Sequence, residues 1–243
     1  MLWGVVMPKY FIDPQQIRDG RVVIEGQAAH HLLHVLRVKV GDCVILCDGM
    51  CTDYHAVIES IKKLQVKFLL ESSVPVSTES PVFVRLHQAL LKGDKIEMII
   101  QKCVELGVSE IIPVSTCRTV SKLKDAIKKA NRFQAIAESA AGQSMRGIIP
   151  HVREAVKFED AVKNISPCCQ TLVAHEAETT RGLSSVSVAK TINIWIGPEG
   201  GFSNEEIVAL QARGALTITL GPRILRAETA AIAMVAQVIG GSL

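Results

Sequence analysis

Two short segments carry the side chains best suited to chemistry. Gly197-Pro198-Glu199-Gly200-Gly201 follows the apolar run Ile192–Ile196, and Ser203-Asn204-Glu205-Glu206 behind it reads as a capping box that opens a helix. Glycines packed this closely admit positive φ and let the main chain come within hydrogen-bonding reach of a ligand. The second segment, Leu220-Gly221-Pro222-Arg223-Ile224-Leu225-Arg226-Ala227-Glu228-Thr229-Ala230, again leaves a β-like run and enters a helix. Its two arginines flank an Ile-Leu pair, which sets cationic donors beside apolar contacts. Ligands of open α/β sheets sit at the carboxyl ends of the strands, where both segments fall. Neither segment is the dinucleotide fingerprint G-x-G-x-x-G, and no Gly-Lys-Ser/Thr follows to make a phosphate loop. The plainer alternative is a pair of surface turns, with Glu228 complementing a helix macrodipole.

The elements that must position these loops follow from periodicity. Arg21–Glu25, Cys43–Cys47, Tyr54–Ile61 and Val66–Leu70 read as strands, Gln27–Arg37 as a compact helix, and Asp48-Gly49 as a hairpin turn. Short strands with one helix predict a small barrel over residues 1–72. Residues 73–81, within the Ser/Pro-rich Ser72–Pro81, read as a linker. Residues 82–243 then alternate. Val82–Ala89, Glu110–Val114, Thr171–Ala174, Ile192–Ile196 and Ala215–Leu220 are expected strands; Lys95–Leu106, Lys122–Ala141, Ser203–Arg213 and Glu228–Ile239 are expected helices. Such alternation predicts an α/β fold, a parallel sheet covered by helices.

The 243 residues contain 27 Lys+Arg against 24 Asp+Glu, a net charge too small to announce a nucleic-acid binder. The charge is nevertheless uneven. Arg118, Lys122, Lys124, Lys128, Lys129, Arg132 and Arg146 are opposed within 118–146 only by Asp125 and Glu138, so this stretch reads either as a solvated helix face or as a phosphate-contacting patch. Aromatic residues make up 4%, which excludes base stacking as the main binding device. The 48% hydrophobic content excludes a disordered chain. Seven cysteines, an odd number, predict reduced thiols in a cytoplasmic protein, and Cys43, Cys47 and Cys51 straddle a turn in a pattern that reads as structural, with no metal. The opening residues lack a secretory pattern, no run predicts a membrane span, and Met7-Pro8-Lys9 reads as a more conventional start than Met1.

The two loops, Ile196–Glu206 and Leu220–Ala230, resemble the signature loops of SPOUT-class RNA methyltransferases. The family resembled is the small-subunit ribosomal RNA methyltransferase E family, which methylates uridine N3 in bacterial 16S ribosomal RNA. The likeness extends through His31–Arg37 with Gly41-Asp42, Lys92-Gly93-Asp94, Gln101–Val108, Pro113, Arg118, and Gln143–Arg146 before Pro150. The resemblance implies a PUA-like RNA-binding β-barrel at 1–72 and a SPOUT domain with a C-terminal trefoil knot at 82–243. It implies S-adenosyl-L-methionine (SAM) as cofactor, 16S ribosomal RNA or the small ribosomal subunit as partner, and a homodimer with sites at the subunit interface. Two positions depart from the family pattern: Gly142 stands where an acidic residue is usual, and Ala227 where threonine is usual.

Methyl transfer from a sulfonium to a ring nitrogen requires an aligned electrophile, loss of the N–H proton, and stabilisation of the charge that develops on uracil. On the resemblance, Leu172, Ala174, His175, Ile196, Gly197, Pro198, Gly200, Gly201, Leu220, Gly221, Ile224, Leu225 and Ala227 surround the cofactor. Arg226 is the first choice of stabilising cation, followed by Arg146 and Arg223; Glu199 and Glu228 are the candidate bases. His31, Arg37, Arg118, Lys122, Arg132 and Arg146 are the expected RNA contacts. The rival from another class is a non-catalytic ribosome-assembly protein with a decayed methyltransferase domain.

Overall fold

The structure is a computed structural model that describes residues 7–121 and 123–241, and its chain divides into two units. One unit comprises the residues up to Glu79 together with Ala141–Ile149; the other holds Ser80–Ala140 and the chain from Pro150 onward.

In the N-terminal unit the β-rich runs form β1 (Lys9–Phe11), β2 (Arg21–Ile24), β3 (Cys43–Cys47), β4 (Thr52–Lys62) and β5 (Gln65–Pro75), with α1 (Gly26–His30) after β2. They make a five-stranded sheet ordered β1-β3-β4-β5-β2, in which β1 lies parallel to β3 and the other pairs are antiparallel. The Asp48-Gly49 turn forms because Gly49 adopts φ +71° and Asp48 Oδ1 accepts from the amides of Met50 (2.7 Å) and Thr52 (3.0 Å). Alternation sends Val44, Leu46, Ile58, Val66 and Phe68 into one core with Ala29 and Leu32 from the helical segment. The expected helix over Gln27–Arg37 is α1 continued by a π-helical turn, His31–Val35, in which the Leu36 amide reaches back to His31 O. The strand β5 runs three residues into the stretch expected as linker. There Thr52–His55 of β4 supply ladder partners for Ser72–Pro75, and pairing overrides the poor strand propensity of Ser and Pro.

Residues 141–149 are stitched to this unit by polar groups. The buried Lys9 ammonium donates to Asp53 Oδ2 (2.9 Å) and to Met145 O (3.3 Å), and the Cys51 amide donates to Gly147 O (3.1 Å). A Cβ at Gly147 would meet Val76 Cβ at 2.9 Å and Cys51 Cα at 3.0 Å, so glycine is required there.

The second unit contains β6 (Phe83–Ala89), α2 (Lys95–Glu105), β7 (Glu110–Ser115), α3 (Leu123–Lys128), α4 (Ala130–Gln143, whose last three residues are counted with the N-terminal unit), β8 (His151–Val152), β9 (Val156–Lys157), α5 (Phe158–Lys163), β10 (Gln170–Ala174), β11 (Thr191–Ile196), α6 (Asn204–Gln211), β12 (Leu216–Ile218) and α7 (Ala227–Gly240). Its strands are parallel, ordered β12-β10-β11-β6-β7-β8, with β9 also pairing β7. The apolar run Ile192–Ile196 is buried throughout, as a central parallel strand must be. Helix α2 buries Ile96, Ile99, Ile100, Cys103 and Val104 along one face and closes at Gly107, whose φ of +104° serves the left-handed cap. The expected helix Lys122–Ala141 is divided into α3 and α4 at Lys129. Trp195 is fully buried and stacks on His87 with ring centroids 4.1 Å apart. Among the described residues no helix is long and apolar enough to cross a membrane.

Candidate functional site

The carboxyl ends of β10, β11 and β12 release three loops that enclose a cavity of about 600 Å³ in the second unit. The first loop, after Ala174, is built around Glu178. Its carboxylate accepts from the Thr180 amide (3.0 Å), the Thr180 hydroxyl (2.8 Å), the Arg181 amide (3.0 Å) and the Thr217 hydroxyl (2.9 Å). These donors hold its pKa down at about 2.

The glycine loop after Ile196 closes on itself through a Gly201 N–H to Pro198 O bond of 2.9 Å, with Gly201 at φ +68°. The expected capping box is present. The Ser203 amide donates to Glu206 Oε2 (2.9 Å) and the Glu206 amide to Ser203 Oγ (3.2 Å), while Glu206 Oε1 accepts from the Cys117 amide (2.8 Å). The next residue, Arg118, donates from Nη1 to Gly200 O at 2.7 Å. Glu199 Oε1 accepts from the Lys92 amide at 3.1 Å. The glycine loop is thereby tied from two sides. At Gly197 a Cβ would meet the backbone of Gly201 and Phe202 at 3.2 Å, and at Gly201 it would meet Glu176 Oε1 at 2.6 Å. Both glycines serve close approach.

The third loop leaves β12 with the Thr219 amide on Arg181 O (2.9 Å) and reaches α7, whose N-cap is Arg226. Glu228, in the first turn of α7, pairs with Lys95 at 3.3 Å. Partial burial works to raise the Glu228 carboxyl, but its own backbone amide, Lys95 and Arg226 outweigh that and hold it below the usual range. A carboxylate so stabilised in its charged form is a poor proton acceptor near neutrality.

The cavity lining brings together most of the expected residues: Ala174, His175, Ile196, Gly197, Pro198, Glu199, Gly200, Gly201, Leu220, Gly221, Arg223, Ile224, Leu225, Arg226 and Ala227. Leu172 is buried inside β10, two residues short of the rim, and packs the sheet instead. Arg146 belongs to the N-terminal unit, 4% exposed, with Nη2 on Glu79 Oε2 at 2.6 Å. Burial works to raise the Glu79 carboxyl, and Arg146 with the amides of Gly147 and Ile148 lowers it by more. Arg118 grips the glycine loop, and Arg132 pairs with Glu97 at 2.6 Å while remaining exposed. His31 and Arg37 are exposed in the N-terminal unit, where His31 Nδ1 lies 2.6 Å from the Tyr10 hydroxyl. Lys122 and residues 1–6 lie outside the described residues.

Three polar lining residues escaped the sequence reading, Lys95, Glu176 and Thr219, as did the apolar Phe202 and Ile218. Glu176 stands two residues beyond the end of β10, so the strand-end rule that selected Ala174 and His175 would have found it. Lys95 follows the Lys92-Gly93-Asp94 motif but comes from a helix start 131 positions before Arg226 in the chain, and no local signal links the two.

Loops at the carboxyl edge of a parallel sheet, in a chain that also carries a separate β-rich unit, agree with the class that the comparisons show. A family model for an RNA methyltransferase domain matches residues 78–239, and one for an RNA methyltransferase PUA domain matches residues 24–71. Among curated relatives, the ribosomal RNA small subunit methyltransferase E of Bacillus subtilis is 35% identical over 237 residues, covering 92% of this chain and 93% of its own. The namesake enzyme of Synechocystis is 31% identical, covering 96% and 78%. Among solved structures, a Legionella pneumophila protein in complex with its cofactor SAM superposes with a TM-score of 0.90 at 32% identity, covering 98% of both chains. The Neisseria gonorrhoeae ribosomal RNA small subunit methyltransferase E bound to S-adenosyl methionine gives 0.87 at 30%, covering 95% of both. The chain belongs to the ribosomal RNA small subunit methyltransferase E family of RNA methyltransferases.

Proposed function

We propose that this methyltransferase transfers a methyl group from SAM to N3 of one uridine in 16S ribosomal RNA. The observation that carries the reading is the cavity at the ends of β10, β11 and β12, where Gly197 and Gly201 leave little room for a Cβ and Arg226, without a side-chain partner among the described residues, stands at the start of α7. The residues present suit the cofactor. Ile196, Ile218 and Leu225 offer apolar surface to adenine, the glycine loops offer main-chain groups to its edges, and Glu176 offers a carboxylate acceptor. When bound, SAM supplies an electrophilic methyl on a sulfonium.

Arg226 and Arg223 are the cations held near the reacting base. Among the described residues neither guanidinium makes a hydrogen bond or ion pair, so both are available to uracil oxygens as negative charge develops. Glu199 and Glu228 are both occupied, by the Lys92 amide and by Lys95, so the N3 proton leaves to solvent and not to either carboxylate. Arg146 acts as a structural partner of Glu79.

We read the connections around β10, β11 and β12, including the Gly182–Thr219 bridge that joins the first loop to the third, as a trefoil knot. In the same reading the five-stranded N-terminal sheet is the PUA-like barrel, to which the chain up to Glu79 and Ala141–Ile149 belong, and the enzyme is a cytoplasmic homodimer. Lys124, Lys128 and Arg132 on α3 and α4 contact phosphates, together with His31 and Arg37. The test is methylation of small subunits from a strain lacking its own enzyme, using labelled SAM and mass spectrometry of the digested RNA. One new N3-methyluridine is expected; label at another position, or none, would overturn the proposal.

A further inference from the structure

The cavity holds three carboxylates and three cations in a small volume, yet among the described residues the two arginine guanidiniums have no hydrogen-bond or ion-pair partner. Arg226 and Glu228 lie two residues apart at the start of α7, close enough for the arginine to act electrostatically on the carboxylate. As it stands, the carboxylate is engaged by the Lys95 ammonium, which lies 3.3 Å from Oε1 and 3.4 Å from Oε2. Lys95 is the first residue of α2, and the segment before it supplies the Lys92 amide that holds Glu199. One short stretch after β6, Lys92–Lys95, therefore occupies two of the cavity's three carboxylates, Glu199 and Glu228.

We infer that Lys95 is a positioning residue for methyl transfer: it sequesters Glu228 and so keeps Arg226 free to meet the anionic nucleobase. The inference rests on the proposed role of Arg226. Lys95 need not touch either substrate. Its ammonium sets how much positive charge the uracil encounters, because a salt-bridged arginine is a weaker partner for a second anion than an unpaired one. The same contact keeps Glu228 ionised and engaged, which removes it as a proton acceptor.

The experiment uses the full-length enzyme with small-subunit RNA substrate and compares K95M, K95R, E228Q, K95M/E228Q and R226A for turnover at saturating SAM and RNA. SAM affinity and thermal unfolding are measured alongside. Removing a donor to a developing oxyanion costs roughly 100-fold or more, and quenching it with a carboxylate is expected to cost roughly tenfold. K95M should therefore lose turnover roughly tenfold with SAM affinity nearly unchanged, and K95R should retain it. Adding E228Q to K95M should restore turnover to the level of E228Q alone. The ratio of K95M to wild-type turnover should rise toward acid pH, as the released carboxylate protonates. A fall in K95M that E228Q does not rescue marks a merely structural ion pair and overturns the inference. So does wild-type turnover in K95M when R226A is inactive. Wild-type turnover in R226A overturns the role of Arg226 itself, and the inference with it.

Discussion

Gly200 and Gly201 are neighbours in the sequence with opposite tolerances for a methyl group. At Gly201 the backbone sits at φ +68°, and an added Cβ would lie 2.6 Å from Glu176 Oε1. The left-handed conformation costs an alanine about 1–2 kcal/mol. The steric part is cheaper, since the obstructing atom is the tip of a flexible carboxylate that can swing aside. At Gly200 the nearest atoms are Arg118 Cδ and Cβ at 3.6 and 3.7 Å, ordinary contacts, and φ is not in the left-handed region. There alanine even gains up to about 0.4–1 kcal/mol by restricting the unfolded chain. G201A should thus lower the thermal midpoint by roughly 2–8 °C, and G200A should leave it unchanged or slightly raised. SAM titration calorimetry should show a second effect. G201A displaces Glu176 and weakens binding, and G201A/E176A, relieved of the clash, recovers some stability without recovering affinity. Equal melting of G200A and G201A, or wild-type binding by G201A, would refute the assignment of strain to Gly201 and of ligand contact to Glu176.

R118A frees the Gly200 carbonyl; because Arg118 is exposed, the charged hydrogen bond is discounted to about 1 kcal/mol, and SAM binding should weaken roughly fivefold by calorimetry. E206A leaves the amides of Cys117 and Ser203, both in part-buried hydrogen bonds, without their acceptor and should cost about 1–2 kcal/mol of stability in denaturant unfolding. Burial, the chief cause, with Arg85 adding to it, depresses the folded pKa of His87 from 6.5 to about 3. The unfolded chain therefore takes up a proton that the folded chain refuses, and stability falls as pH drops through that window. H87F, which keeps a ring against Trp195, should show a thermal midpoint that declines less over the same range.

The loops were legible because their evidence is local. Three glycines, a capping box and two arginines lie within short windows, and each window follows an apolar run, so periodicity and turn chemistry suffice to place Gly197–Gly201 and Leu220–Ala227 at strand ends. The roles of individual charges were less legible, since they depend on partners remote in sequence. Arg118, read as a phosphate contact, also donates to Gly200 O at 2.7 Å, a partner 82 positions away. Arg146 looked like a catalytic cation, yet its guanidinium is committed to Glu79, 67 positions away. Glu199 and Glu228, the candidate bases, meet the Lys92 amide and the Lys95 ammonium, partners that no local window shows. Strand β5 exceeded its expected length for the same reason, because a ladder partner on β4 decides where it stops.

Residues 141–149 give the N-terminal unit a second piece of chain, inserted after more than sixty residues of the other unit. Its boundary is therefore crossed three times, and no single cut separates the two. A fragment ending before Ser80 would lack the partners of Lys9, Cys51 and Glu79; a fragment beginning there would carry the Ala141–Ile149 stretch with its anchors removed. Recombination by exchange of a terminal cassette is closed to this architecture. Any graft of the N-terminal unit onto another enzyme must bring both pieces at once, so the two units are expected to be inherited together.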